Sequence, residues 1–249
     1  MESKNPWLLL VFVLVPVSIL ALRPQPEPSL STLPPVIVWA WERPEKLDFI
    51  DTDRVGVAYL AKTLRLDGDA VISRPRLQPL QLAPDTRLIA VVRIESDRRN
   101  APTLSYAQRQ KAVTEIANLS VLSNISVVQI DFDAAVSERP FYTDLLNELR
   151  RQLPSSTALS ITALASWCAG DQWLADLPID EAVPMLFRMG ADRKRFQSAP
   201  RFEPPICANS AGVSTDEPIT RPNVDRLYIF SPDPWSRDAL DRALETYKK

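Results

Sequence analysis

Over Val127–Ala134, VVQIDFDA, apolar and polar side chains alternate. Val128, Ile130 and Phe132 fall to one side of an extended chain, and Gln129, Asp131 and Asp133 to the other. Such a strand suits a β/α barrel, in which one side packs on an outer helix and the other lines the barrel and its mouth. Further strands are predicted at Val36–Trp41, with Ile37, Trp39 and Trp41 on one side, at Val55–Ala61, and at Arg87–Glu95, where Arg93 and Glu95 share a side. Thr157–Trp167, Val183–Met189, Gly212–Thr215 and Asp225–Ser231 complete the set. Helical spacing marks Thr103–Leu122, capped by Thr103 or Ser105, then Phe141–Leu153 and Pro234–Tyr247.

From residue 87 onward strands and helices alternate, which favours parallel pairing. The first strands break that rule. No helical pattern separates them, and Asp67-Gly68, between Thr63–Leu66 and Asp69–Ser73, reads as a hairpin turn. The expected fold is therefore α/β, a single (β/α)8-type (TIM) barrel, irregular in its first two units, with a β-hairpin inserted near 63–73.

Two segments precede it. Trp7–Leu22 is almost unbroken in its apolarity, with Lys4 before it and Arg23 after it. As a helix it rises about 24 Å, short of the roughly 30 Å of a bilayer core, so residues 1–22 read as a signal peptide or a short membrane anchor. Residues 23–35 hold prolines at 24, 26, 28, 34 and 35 and read as an extended linker, leaving 36–249 as the barrel domain. The expectation is export to the periplasm or extracellular space, with a tether to the inner membrane through residues 7–22 if they are not cleaved.

Composition excludes more than it suggests. The 249 residues contain no histidine, which removes a Ser-His-Asp triad, a Cys-His pair and the histidine-based zinc sites. The five glycines, at 56, 68, 170, 190 and 212, are too scattered for a phosphate or dinucleotide loop. A net charge of −2 without a basic stripe gives no reason to expect nucleic acid. No cofactor is expected, and an oxygen-ligand cation site at Asp131 and Asp133 lacks an EF-hand pattern, so no metal is either. Acid–base work falls to carboxylates.

In a β/α barrel the active site lies at the carboxyl ends of the strands. Those ends carry Glu42 and Arg43, Arg93 and Glu95, Asp131 and Asp133, Ser166, Arg188, and Asp216 and Glu217. Glycosidic cleavage needs one carboxyl held neutral as a proton donor and one ionised partner. Asp131, Asp133, Glu95, Asp216 and Glu217 are the candidates. An internal ion-pair network would present the same sequence. Trp39, Trp41, Trp167 and Trp173 offer flat faces for sugar rings, or simply core volume, and Glu42, Arg93 and Arg188 complete the candidate binding set. Cys168 and Cys207 are the only cysteines; in an oxidising compartment they invite a disulfide, the alternatives being two buried thiols or one reactive thiol. Asn118 and Asn124 open short glycosylation patterns of the kind that arise often by chance.

Four stretches, VIVWAWERPE (36–45), VVQIDFDA (127–134), LSITALASWCAGDQWL with DEAVPMLFRMG (159–190) and GVSTDEP (212–218), resemble a family of exported bacterial proteins catalogued as domain of unknown function 3142. The resemblance implies a barrel of the glycoside-hydrolase type and brings no activity with it. The QIDFDA strand is similar to the acidic fourth strand of chitinase-type barrels, but Ala134 and Ala135 stand where their glutamate would follow. A second likeness, to retaining barrels with acids after strands four and seven, pairs Asp131 or Asp133 with Asp216 or Glu217. The expectation is an exported barrel that acts on a polysaccharide or cell-envelope glycan, as a glycoside hydrolase with paired carboxylates. The alternative is a non-catalytic glycan- or protein-binding barrel of the cell envelope.

Overall fold

The strand Val36–Ala40 (β1) is hydrogen-bonded on both sides, and this closes the sheet. In this computed structural model, which describes residues 29–121, 125–190, 193–196, 202 and 204–248, eleven strands follow one another. After β1 come Glu45–Leu47 (β2), Val55–Asp67 (β3), Ala70–Pro75 (β4), Leu80–Leu82 (β5) and Leu88–Ser96 (β6). Then come Ile125–Asp131 (β7), Ala158–Leu164 (β8), Glu181–Met185 (β9), Ser210–Ser214 (β10) and Arg226–Phe230 (β11). The parallel order β1-β3-β6-β7-β8-β9-β10-β11, with β11 back against β1, is a closed eight-stranded barrel of the TIM type.

Helices Tyr106–Ala117 (α1) and Arg139–Gln152 (α2) cover β6 and β7. Short turns Ala165–Cys168 (α3) and Arg193–Phe196 (α4) follow β8 and β9, and Arg237–Thr246 (α5) closes the chain. Ser105 starts α1 by accepting the Gln108 N–H, and Ser236 does the same for α5 at Ala239, each satisfying a donor that the first turn leaves open. Outside the barrel, β2 pairs with β5. The β4 strand folds back antiparallel on β3 through Gly68, whose φ of +51° a side chain would strain.

Two apolar clusters follow from the period of two. Ile37, Trp39, Ala58, Ile89, Val127 and Tyr228 fill the barrel, while Val128, Ile130 and Phe132 point out to meet Val113 and Ile116 of α1 and Leu145 and Leu149 of α2. In β3 the phase changes midway. Ala58 faces inward, yet Leu64, six residues on and so on the same side of a regular strand, packs outward. A bulge between Leu60 and Lys62 supplies the extra residue.

Several boundaries differ from the sequence reading. Residues 29–35 are not a free spacer: Ser29–Thr32 forms a 3-10 turn, Leu33 is buried with the barrel interior, and the Leu30 carbonyl accepts from Arg226. The proposed signal or anchor at 1–22 and the start of the linker lie outside the described residues, as does Asn124. The strand placed at Val183–Met189 runs over Glu181–Met185, and Arg188, three residues past its end, has a φ of +56°. The strand placed at Thr157–Trp167 ends at Leu164, so Trp167 belongs to α3.

Candidate active site at the barrel mouth

Register builds the site. Thr63 of β3 lies beside Arg93 of β6, and Arg93 beside Asp131 of β7; one row on, Arg65 lies beside Glu95. The bulge in β3 is what turns Thr63 and Arg65 into that row. Arg93 donates from Nε to Glu95 Oε1 at 2.8 Å, and its Nη1 stands 3.6 Å from Asp131 Oδ2. On the far side Thr162 of β8 donates to Asp131 Oδ1 at 2.8 Å. Glu95 also has Arg74 at 4.0 Å.

These groups open on a cavity of about 800 Å³ lined by Arg65, Arg93, Glu95, Asp131, Asp133 and Glu138, among others. Burial pushes the Asp131 carboxyl above its ordinary range; Arg93 and the Thr162 hydroxyl oppose the shift, and Asp133 and Glu95 add to it. Asp133, by contrast, is exposed in the same cavity. Glu138, which the sequence reading passed over, is held by the Ala135 N–H at 2.7 Å and by the Ser96 hydroxyl, tying the end of β6 to the start of α2. Behind the wall, the Tyr142 hydroxyl is buried without a hydrogen-bond partner. Burial and the charges of Asp131 and Asp133 hold it well above the usual phenol value.

Asp216 and Glu217 do not line this cavity. Arg188 reaches Asp216 Oδ2 at 2.8 Å and gives its backbone N–H to Glu217 at 3.2 Å; Arg193 stands 3.7 Å from Glu217, and the Ser214 hydroxyl donates to Asp216. Asp131, after the fourth barrel strand, and Asp216 and Glu217, after the seventh, are thus held by different arginines, Arg93 and Arg188.

The aromatic candidates divide similarly. Trp39 is buried inside the barrel against Phe187, Tyr228 and Phe230. Trp167 is 3% exposed and meets Trp173 edge-on at 5.1 Å, with Arg139 over both rings and paired to Asp171 at 2.6 Å. Both are packing residues of the outer layer. Trp41 is half-buried at the mouth, with the Arg93 guanidinium 5.2 Å above its ring and Phe230 edge-on at 6.1 Å. Phe230 stacks in turn on Phe187 at 5.4 Å. The sequence reading did not single out Phe187 or Phe230, although the period of two in β11 puts Phe230 on the same side as Tyr228. Glu42 is exposed just past Trp41.

Cys168 at the end of α3 and Cys207, three residues before β10, form a disulfide with Cα atoms 6.0 Å apart. Among the described residues no group of three or more acidic, cysteine or histidine side chains could hold a metal ion, and no helix is long and apolar enough to cross a membrane.

Residues 85–191, which carry β6 to β9 and thus the Arg93–Asp131 row, match the model of the family described as Domain of unknown function (DUF3142). No curated protein matches the chain, and no solved structure does.

Proposed function

We propose that this protein is an exported barrel that acts on a polysaccharide or cell-envelope glycan at the cavity beside β6 and β7, as a glycoside hydrolase. One observation carries the reading: a carboxyl whose burial favours its proton, Asp131, shares an open cavity with an exposed carboxyl, Asp133. In this scheme Asp131 gives its proton to the leaving glycosidic oxygen, and Asp133 acts as the ionised partner on the sugar or on water. Arg93 orients Asp131 and Glu95. Asp216 and Glu217 have no part in it, because Arg188 occupies them elsewhere. Trp41, with Phe230 and Phe187 behind it, supplies the apolar face for a sugar ring. Export is supported by the apolar run at 7–22 and by a disulfide of the kind that persists in oxidising compartments.

A non-catalytic glycan- or protein-binding barrel is the second reading. It is favoured by Arg93 and Arg188, each of which is held between two acids.

The test is release of reducing ends from a panel of polysaccharides by the full chain, compared with Asp131→Asn and Asp133→Asn. The expected result is loss of activity by about 100-fold or more in each variant, the usual scale for removing a positioned acid or base. Activity that survived both substitutions would remove the assignment, and inactivity of the wild type on the whole panel would favour the binding reading.

A further inference from the structure

The loop after β6 presents two arginines, Arg98 and Arg99, that are not locked into ion pairs, although the Arg99 charge acts on the neighbouring Asp97 carboxyl. Arg98 and Arg99 both line the cavity that holds Asp131 and Asp133, both are exposed, and neither has an ion-pair partner within 4.0 Å among the described residues. Every other cavity arginine is committed: Arg93 to Glu95 and Asp131, and Arg65 to Asp67 and Asp97.

The loop that carries the pair is fixed in place by bonds of its own. Asp97 Oδ1 accepts from the backbone N–H of Arg99 at 2.6 Å and of Asn100 at 3.1 Å. Asn100 in turn donates from its amide to Asp67 at 2.7 Å, and its carbonyl accepts from Gly68 N–H. The turn between β3 and β4 therefore clamps the arginine loop, and Thr103 N–H closes the clamp onto the Gly68 carbonyl. Two guanidinium groups on an anchored backbone lose less freedom on capturing an oxyanion than two on a free loop, and their planar forks suit carboxylate and sulfate oxygens.

We propose that the glycan taken at this cavity is anionic, bearing a carboxylate or sulfate on a sugar next to the one at Asp131 and Asp133, and that Arg98 and Arg99 bind that group. The inference rests on the proposed glycan site but not on catalysis there.

The experiment measures binding and cleavage separately with the full chain. Affinity for polygalacturonate, dextran sulfate and neutral dextran of matched length is read by affinity electrophoresis, in the wild type, in Asp131→Asn, and in Arg98→Ala/Arg99→Ala. Wild type and Asp131→Asn should bind at least one anionic polymer and leave neutral dextran unbound. The double arginine variant should lose about tenfold to a hundredfold of that affinity, the scale of one or two lost charge-assisted contacts. Added salt should weaken wild-type binding, since exposed charges are screened beyond about 10 Å at 0.1 M. Preference for polygalacturonate assigns a uronate, and preference for dextran sulfate assigns a sulfate ester. Equal binding of neutral and charged polymers, binding of neither anion, or full affinity in the double variant overturns the proposal. Anion binding without cleavage would leave it standing while favouring the binding reading over the hydrolase.

Discussion

The Arg93 guanidinium stands 3.6 Å from the Asp131 carboxylate, yet Asp131 is still pushed toward its neutral form. Opposite charge at that distance lowers an acid's pKa, and burial raises it; here burial is the larger effect. Arg93→Met removes the opposing charge and so raises the Asp131 pKa further. If Asp131 is the proton donor, the basic limb of the pH dependence of kcat/KM moves up in this variant. A carboxyl 13C titration of Asp131 checks the shift independently of activity, and an unchanged or lowered pKa would contradict it.

The same shift carries a stability consequence. A carboxyl that holds its proton more tightly in the folded chain than in the unfolded one stabilises the fold when protonated. That contribution is complete below the unfolded value, about 3.9, and is lost as pH rises through the raised folded value. Above the unfolded value, the preference of the folded site for the neutral acid makes the Asp131 charge a cost. Asp131→Asn keeps an oxygen for the Thr162 hydroxyl and removes the charge, so Tm at pH 7 should rise by a few degrees, on the scale of roughly 2–4 °C per kcal/mol. Near pH 4 the gain over wild type should shrink. A larger gain at pH 4 than at pH 7 would reverse the sign of the argument.

Lys62, on the bulge of β3, makes the opposite kind of pair. Its Nζ reaches Glu115 of α1 at 2.6 Å, and the Ser73 hydroxyl donates to the same oxygen at 2.7 Å. The Lys62 and Ser73 hydrogen bonds hold the Glu115 carboxyl below its usual value, so its contribution is present above the unfolded pKa and lost as pH falls through the folded one. Because Glu115 is 37% exposed, screening limits the effect. Glu115→Gln should cost about 0.5–1 kcal/mol in urea unfolding at pH 7, and progressively less as pH falls below the unfolded carboxyl value.

How much of this was legible follows from what is local. Arg93, Glu95 and Asp131 could be placed at one end of the barrel because alternation along two strands and their order fix the side and the end. Asp216 and Glu217 stood at the right end as well, but Arg188 engages both of them, and it does so from a turn of positive φ beyond the end of β9. The bulge at Lys62 is invisible in VGVAYLAKTLRLD, because the phase change shows only once the neighbouring strand is known. Trp167 and Trp173 look like sugar platforms until Arg139, nearly thirty residues earlier, is seen over both rings. Arg98 and Arg99 were readable as charges just past a strand end; the clamp by Asp67 and Gly68 that fixes their loop was not.

The disulfide closes a long loop. Cys168 and Cys207 are 39 residues apart, and the chain-entropy model assigns such a cross-link about 4 kcal/mol through the unfolded state. Cys168→Ala/Cys207→Ala should lower stability by about 3–4 kcal/mol. Reductant should destabilise the wild type by a similar amount and leave the double variant unaffected. A reductant effect of equal size in both would mean the cross-link is not its source.

Inside the barrel, Glu181 is 4% exposed and shares its oxygens among three donors: Arg226 at 2.7 Å, the Tyr228 hydroxyl at 2.6 Å and the Ser160 hydroxyl at 2.9 Å. Ser160 accepts in turn from Gln129, so β7, β8, β9 and β11 are joined across the interior. Burying a carboxylate is costly unless its charge is matched, and Arg226 provides the matching charge. Arg226→Met leaves Glu181 charged and unpaired in the interior, which should cost about 3–5 kcal/mol. Adding Glu181→Gln removes the charge while keeping an oxygen for Tyr228 and Ser160, so the double variant should recover most of that loss. Urea unfolding of the two variants decides it. If the double variant is no more stable than Arg226→Met alone, the loss comes from missing side-chain packing at the base of the barrel and the carboxylate is not what Arg226 serves.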